Sequence, residues 1–283
     1  MLDVILQRGL IIIMKIIDAH LHFVPGEEHF DQIAIAAGHQ NTVEHIREEY
    51  KKLGIVCGIV MGNRKLEPES HQYPEFMRYC IGIDSFYLTK HDIAESYDQI
   101  EQNLKRSSCV GIKLYPGYSH IYVTDPVYDQ VYELAEAYHK PVAIHTGETA
   151  TPQALLKYSH PLTLDEAAVS HPNIQFVMCH FGNPWLMDAA AVVSKNKNVA
   201  VDISGLLEGR VDVPKFLAEK RGYAEALRAW LGYLGEYDQV MFGTDWPLVN
   251  LKAYIEFAGA LVPEKYHGKL FFDNANRIYQ LGL

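Results

Sequence analysis

The sequence predicts a (β/α)8 barrel, and three observations carry that expectation. Eight short runs rich in Ile, Val, Met and Phe recur along the chain. They begin roughly every 30 residues, about the length of a strand, a crossover helix and the return. Most are continuously apolar, without the two-residue alternation of a one-sided sheet, which is how parallel strands covered on both faces read. The 283 residues slightly exceed the ~250 typical of such a barrel. An open doubly wound sheet is the competing arrangement, but no GxGxxG or phosphate-binding loop follows the first run.

In chain order, the strands are expected at 15–22, 54–62, 79–86, 109–115, 141–147, 174–182, 198–205 and 239–246. Apolar residues at helical spacing predict helices over 42–53, 92–106, 126–139, 163–170, 185–195, 222–234, 250–260 and 273–281. The 62–78 connection has room only for a short helix, because Pro68 and Pro74 each remove a backbone donor. No repeat and no Ser/Gly/Pro linker divides the chain. A single domain over 14–283 is therefore expected, preceded by an extension at 1–13, with Met14-Lys15 an alternative start of translation. The apolar residues 10–14 follow Arg8, yet the run is too short to span a bilayer and no small-residue cleavage site follows it. Neither export nor membrane anchoring is expected.

Composition narrows the function classes. Hydrophobic residues at 48% and charged residues at 21% exclude a disordered, collagenous or coiled-coil chain. A net charge of −10 without a Lys/Arg run disfavours nucleic acid as a partner. Cys57, Cys80, Cys109 and Cys179 lie far apart in apolar runs with no CxxC, and read as reduced core residues of a cytoplasmic protein.

Polar residues that resist burial stand at the ends of several strands: His20 and His22, Lys113, His145, His180 and Asp245. In a barrel these converge on one mouth, because parallel strands share one C-terminal face. His20 and His22 are two apart in a strand, so both imidazoles aim to one side. Alone, the pair is better explained as one imidazole bonded to a carbonyl and one solvated. His145 adds a third nitrogen and Asp245 a carboxylate that is costly to bury without a cation. With all four, the reading becomes a metal site with ligands at ~2.0–2.2 Å. Asp202 reads as a turn cap, and Gly182 and Gly205 as sharp strand-to-loop turns. His29, His39, His45, His71, His91, His139 and His267 read as surface residues, and His120, His160 and His171 as loop residues.

In order along the chain, Asp18-Ala19-His20-Leu21-His22, Gly111-Ile112-Lys113-Leu114-Tyr115-Pro116, His145-Thr146-Gly147, Cys179-His180-Phe181-Gly182 and Gly243-Thr244-Asp245-Trp246-Pro247 resemble the successive motifs of the amidohydrolase superfamily. The match is to the amidohydrolase 2 branch, which includes the aminocarboxymuconate-semialdehyde decarboxylase-like enzymes. Asn274-Ala275-Asn276-Arg277-Ile278-Tyr279 is similar to that branch's C-terminal helix. The resemblance implies one divalent ion, usually zinc, held by His20, His22, His145 and Asp245, with His180 beside the bound water as general base or acid and Asp245 sharing the proton transfer. A second metal bridged by a carboxylated Lys113 is the binuclear alternative. Uncarboxylated, Lys113 is expected to be a cation at the mouth for a substrate carboxylate or oxyanion.

Loops after the strands supply the expected substrate contacts: Arg64, Tyr115, Tyr118, Glu148, Arg210 and Trp246, suited to a small molecule with an aromatic or carboxylate portion. The leading expectation is hydrolysis of an amide, lactone or ester by a metal-activated water. The alternative is a metal-dependent non-oxidative decarboxylase. Many decarboxylases of the branch begin with Glu-Glu-His-Phe. Here Glu27-Glu28-His29-Phe30 follows the His20/His22 pair instead, and this departure favours hydrolysis. A metal-dependent deoxyribonuclease is disfavoured by the acidic balance, and a non-catalytic binding protein would leave the converging ligands idle. No apolar stripe forces association, which leaves a homo-oligomer open.

Overall fold

The computed structural model describes residues 5–7, 10–12, 14–63, 65–83, 88 and 93–283, the first two segments by their backbone alone. Eight parallel strands form one sheet: β1 (Ile16–Leu21), β2 (Ile55–Met61), β3 (Met77–Ile83), β4 (Cys109–Leu114), β5 (Val142–Ile144), β6 (Phe176–Met178), β7 (Val199–Asp202) and β8 (Val240–Met241). Every strand pairs with its neighbour in sequence. The sheet closes where residues beyond β8 meet β1: Ala19 N–H donates to Phe242 O (3.0 Å), Asp245 N–H to His20 O (2.8 Å) and His22 N–H to Trp246 O (2.7 Å). Closure removes both sheet edges and makes a (β/α)8 barrel.

Helices cover the outside, and their ends follow local chemistry. The helix Val43–Leu53 starts where Thr42 accepts from His45 N–H and stops at Gly54 in the left-handed region, a position that favours glycine. Tyr50 and Leu53 of its buried face pack on β1 and β2. Two helices differ from expectation. Glu28–Ala36 is helical because Glu27 accepts from Phe30 N–H, and Val213–Glu219 because Asp212 accepts from Lys215 N–H with a proline in the first turn. Both are short and mostly exposed, so neither carries a strong apolar period. Among the described residues, the 62–78 connection holds only the single 3-10 turn Pro68–Ser70. The expected last helix shortens to Asn274–Ile278, preceded by a π turn at Lys269–Asp273. Among the described residues, no helix is long and apolar enough to cross a membrane.

The barrel interior is filled by small and medium side chains from successive strands: Ile17 and Ala19, Ile59 and Met61, Cys80, Ala143, Val177 and Cys179, Ala200 and Met241. Strands β5, β6 and β8 are shorter than the sequence suggests. The reason is visible past their ends, where Gly147, His180, Phe181 and Asp245 have φ of 93°, 62°, 48° and 58° and turn the chain out of the ladder. These residues therefore stand at the mouth on bent backbone.

Candidate metal centre

The centre begins with an irregularity in β1. Ile17 and Ala19 belong to the interior cluster, whereas Asp18 points outward, accepting from Tyr50 Oη (3.0 Å), Thr244 N–H (2.8 Å) and Thr244 Oγ1 (2.6 Å). The pairing register with β2 shifts between Asp18 and Leu21. That shift switches the inward parity from odd to even residues, so His20 and His22 both face the mouth. Gly243 makes the packing possible, since a Cβ there would lie 2.8 Å from that of His20.

His20 is fully buried. Its Nδ1–H donates to Asp202 Oδ2 at 2.9 Å, which leaves the Nε2 lone pair facing the mouth. No hydrogen-bond partner meets Nε2. Burial pulls this imidazole's pKa down, but Asp202 overrides burial and holds it at about 10, so a metal ion would have to displace a proton from Nε2 to use that lone pair. Asp202 in turn sits well below the usual carboxylate range despite its burial, because of His20. His22 donates from Nδ1 to Met61 O (3.1 Å), so its Nε2 lone pair also faces the mouth. Asp245 Oδ1 lies 3.5 Å from His20 Nε2 and 3.4 Å from His22 Nε2. Burial raises the Asp245 pKa, the cost expected of a carboxylate placed there without a cation.

Two donors bound at about 2.0–2.2 Å to one tetrahedral ion stand about 3.3–3.6 Å apart. The two imidazole-to-Asp245 separations have that spacing, and the three ligand atoms all lie within 4.8 Å of one another. Two imidazole lone pairs and a carboxylate suit a borderline divalent ion such as zinc, and the orphaned buried His20 Nε2 is the atom such an ion would satisfy.

His145, the fourth expected ligand, stands outside this trio. Its Nε2 meets the backbone carbonyl of Glu148 at 3.1 Å, and its Nδ1 faces His180 Nε2 at 3.2 Å. His180 Nδ1 meets Ser204 O (3.2 Å) and Ser204 Oγ (2.9 Å). Carbonyl oxygens only accept, so each neutral ring spends its single proton on the outer side. The two inner nitrogens then face each other as lone pairs, a contact that a proton taken up by either ring would turn into a hydrogen bond. Burial lowers the His145 pKa to about 3 and takes that of His180 well below its ordinary value, so both rings rest neutral.

The family model described as amidohydrolase matches residues 17–281. The chain belongs to the amidohydrolase family. No curated protein matches its sequence, but solved structures share the fold. An uncharacterised TIM-barrel protein from Bordetella bronchiseptica is 20% identical with a TM-score of 0.70, over 95% of this chain and 100% of that one. The 5-carboxyvanillate decarboxylase from Sphingomonas paucimobilis is 15% identical with a TM-score of 0.64, over 94% and 99%. An amidohydrolase from Burkholderia multivorans with bound zinc is 15% identical with a TM-score of 0.64, over 94% and 99%.

The remaining expected residues of this amidohydrolase-family chain are placed unevenly. Lys113 is not exposed at the mouth, although its charge acts on His20, His145 and Asp245. It pairs with Ala143, two residues before His145, so it lies one inward layer lower and is fully buried. Its Nζ contacts Cys179 Sγ at 2.9 Å and lies 5.2 Å from the Tyr115 ring centre. Trp246 is likewise no surface for a ligand: it is fully buried, packed against the tilted His39 ring at 5.0 Å and donating from its indole to Asn41. Tyr115 spends its hydroxyl on Gly62 O (2.7 Å). Glu148 exposes its side chain and meets His145 only through its carbonyl. Arg210 packs over Gly38. Arg64 lies outside the described residues. Tyr118 does stand at the mouth, 37% exposed, its ring 5.1 Å from that of His145.

Asp202 does more than the turn cap expected of it. It does cap its own turn, accepting from Ser204 N–H at 3.1 Å, and the same carboxylate also grips His20 and accepts from His180 N–H at 3.0 Å. Ser204 gave no sequence signal at all. Asp202 gave one that only the fold could read, a carboxylate at the end of a buried strand.

Proposed function

We propose that this chain is a metal-dependent hydrolase acting on a C–N or C–O bond of a small molecule, such as an amide, lactone or ester. The supporting observation is the convergence of the His20 and His22 Nε2 lone pairs with Asp245 Oδ1 at one buried point of the mouth. His20, His22 and Asp245 would hold one divalent ion, zinc being suited to that set, with His145 on the facing side. An ion held there supplies a water acidic enough to lose its proton near neutrality. His180 Nε2, a lone pair held toward the mouth, would take up that proton and return it to the leaving group. Tyr118 offers a flat apolar wall beside His145 for the substrate.

Non-oxidative decarboxylation is the second reading, since the same ligands and a proton from His180 would serve it. Hydrolysis is favoured because Lys113, the cation the sequence offered for a substrate carboxylate, is committed to Cys179 beneath the centre. The four cysteines are buried free thiols, which supports a reducing, cytoplasmic setting.

The zinc-loaded protein, incubated with lactones, N-acyl compounds and aromatic carboxylates and scored separately for acid and carbon dioxide release, should release acid. Carbon dioxide as the sole product would replace hydrolysis with decarboxylation. Turnover that survives stripping by a chelator would end the metal reading. His180→Ala should keep the ion and lose most turnover, and loss of the ion as well would move His180 among the ligands.

A further inference from the structure

Proton counting around Asp202 leads beyond the ligand set. Four donors converge on this one buried carboxylate. Oδ2 accepts from His20 Nδ1–H (2.9 Å), and Oδ1 accepts from His180 N–H (3.0 Å), Ser204 N–H (3.1 Å) and the Ser204 hydroxyl. A serine hydroxyl has one proton. Because that proton goes to Asp202, Ser204 Oγ meets His180 Nδ1 at 2.9 Å as an acceptor. The Ser204 carbonyl, 3.2 Å from the same nitrogen, imposes the same polarity.

We infer that Asp202 is a positioning residue for two imidazoles at once: directly for His20, and through the Ser204 hydroxyl for His180. Each ring carries a proton on Nδ1 and turns Nε2 to the mouth, where the His20 lone pair is free for a metal ion once any proton on it is displaced. One carboxylate thereby orients both the ligand and the group read above as the proton acceptor. A carboxylate behind a metal-binding imidazole is a general device, and here the serine extends it to a second ring. The inference about His180 rests on the proposed role of that residue, while the tautomers themselves do not.

The test is nitrogen-15 NMR of the full chain labelled at histidine, with His20→Gln and His180→Gln used to assign the two rings. In the unaltered protein, both Nδ1 atoms should show the shift of a protonated nitrogen. In Ser204→Ala, the His180 proton should move partly to Nε2 while His20 stays unchanged, and Ser204→Thr should restore it. In Asp202→Asn, an amide that keeps its oxygen toward the three Oδ1 donors presents NH2 to His20. This should drive that ring to the Nε2–H form, a wrong-tautomer effect of the kind known for an Asp-to-Asn change behind a catalytic histidine. Zinc affinity, measured by titration with zinc alone, should then fall roughly 10–100-fold in Asp202→Asn and stay unchanged in Ser204→Ala. An Nδ1 lacking its proton in the unaltered protein, or a Ser204→Ala change that shifts His20 as much as His180, would overturn the inference. Correct tautomers in a protein that binds no zinc would leave it standing and overturn the metal reading instead.

Discussion

At the scale of single residues, the centre depends on where lone pairs point. His20 has one nitrogen on Asp202 and the other without a hydrogen bond, an arrangement that is costly unless a cation completes it. His20→Ala and Asp245→Ala should each lower bound zinc well below the unaltered protein's content by elemental analysis. Full stoichiometry in both variants would contradict the ligand set. Close approach matters as much as donor chemistry. A Cβ at Gly205 would lie 2.9 Å from both Asp245 Oδ2 and His180 Nδ1, whereas one at Gly209 would meet nothing within 4 Å, and both glycines have φ near 70° (65° and 70°). Gly205→Ala and Gly209→Ala thus share the backbone cost, typically about 1–3 kcal/mol, and only the first intrudes on the centre. Zinc affinity should fall at least about tenfold in the first and stay level in the second. Equal affinities would show that Gly205 serves its turn alone.

At the scale of elements, a histidine taken for a surface residue proves structural. His39 is 6% exposed and caps the helix Leu251–Leu261: its Nε2 accepts from Leu251 N–H (3.1 Å), while its Nδ1–H donates to His45 Nε2 (2.9 Å). Burial, reinforced by His45, lowers its pKa to about 4 from an ordinary value of 6.5. The unfolded chain therefore binds the proton more readily between these values, so His39 adds stability above about pH 6.5 that is lost as the pH falls toward about 4. Protonation also converts the cap acceptor into a donor facing a helix N–H. Thermal midpoints recorded from pH 7 to pH 4 should drop less steeply in His39→Gln than in the unaltered protein. Parallel slopes would remove His39 from the account. Neither partner of this cap was visible in sequence, because residues 39 and 251 meet only when the first and last mouth loops close over Trp246.

At the scale of the whole molecule, barrel closure and the centre share atoms. Asp18 ties β1 to Thr244 beyond β8, and the adjacent backbone bonds to His20 O and Trp246 O complete the ring. Thr244→Ala removes a buried donor to Asp18 and the acceptor of Trp246 N–H, and should cost about 1–3 kcal/mol. That loss corresponds to a fall in Tm of roughly 2–4 °C per kcal/mol. An unchanged Tm would mean that closure does not depend on this contact. Zinc should act in the opposite direction: ligands drawn from β1 and from the segment after β8 exist together only in the closed barrel, so saturating zinc should raise Tm and a chelator reverse it. A Tm indifferent to zinc would place binding elsewhere.

The barrel and its mouth were legible in the sequence because they follow from short-range rules. Continuous apolar runs spaced by helices specify buried parallel strands, and polar residues ending those runs specify which side chains gather at one face. The periodic pattern also placed His20, His22 and Asp245 together without reference to any coordinate. Depth and orientation lay beyond it. Whether Lys113 stands at the mouth or one layer below depends on how β4 registers against β5. Whether Trp246 faces a substrate or the core depends on the loop that folds over it. The register shift that turns His20 and His22 inward is a property of the pairing between β1 and β2, not of either strand. The run of residues by itself determined which donors this protein carries and that they share one rim. Only the closed tertiary structure decided which lone pairs face inward, because a carboxylate on β7 and a serine after it reach across the barrel to rings that the linear order keeps 182 and 24 residues away.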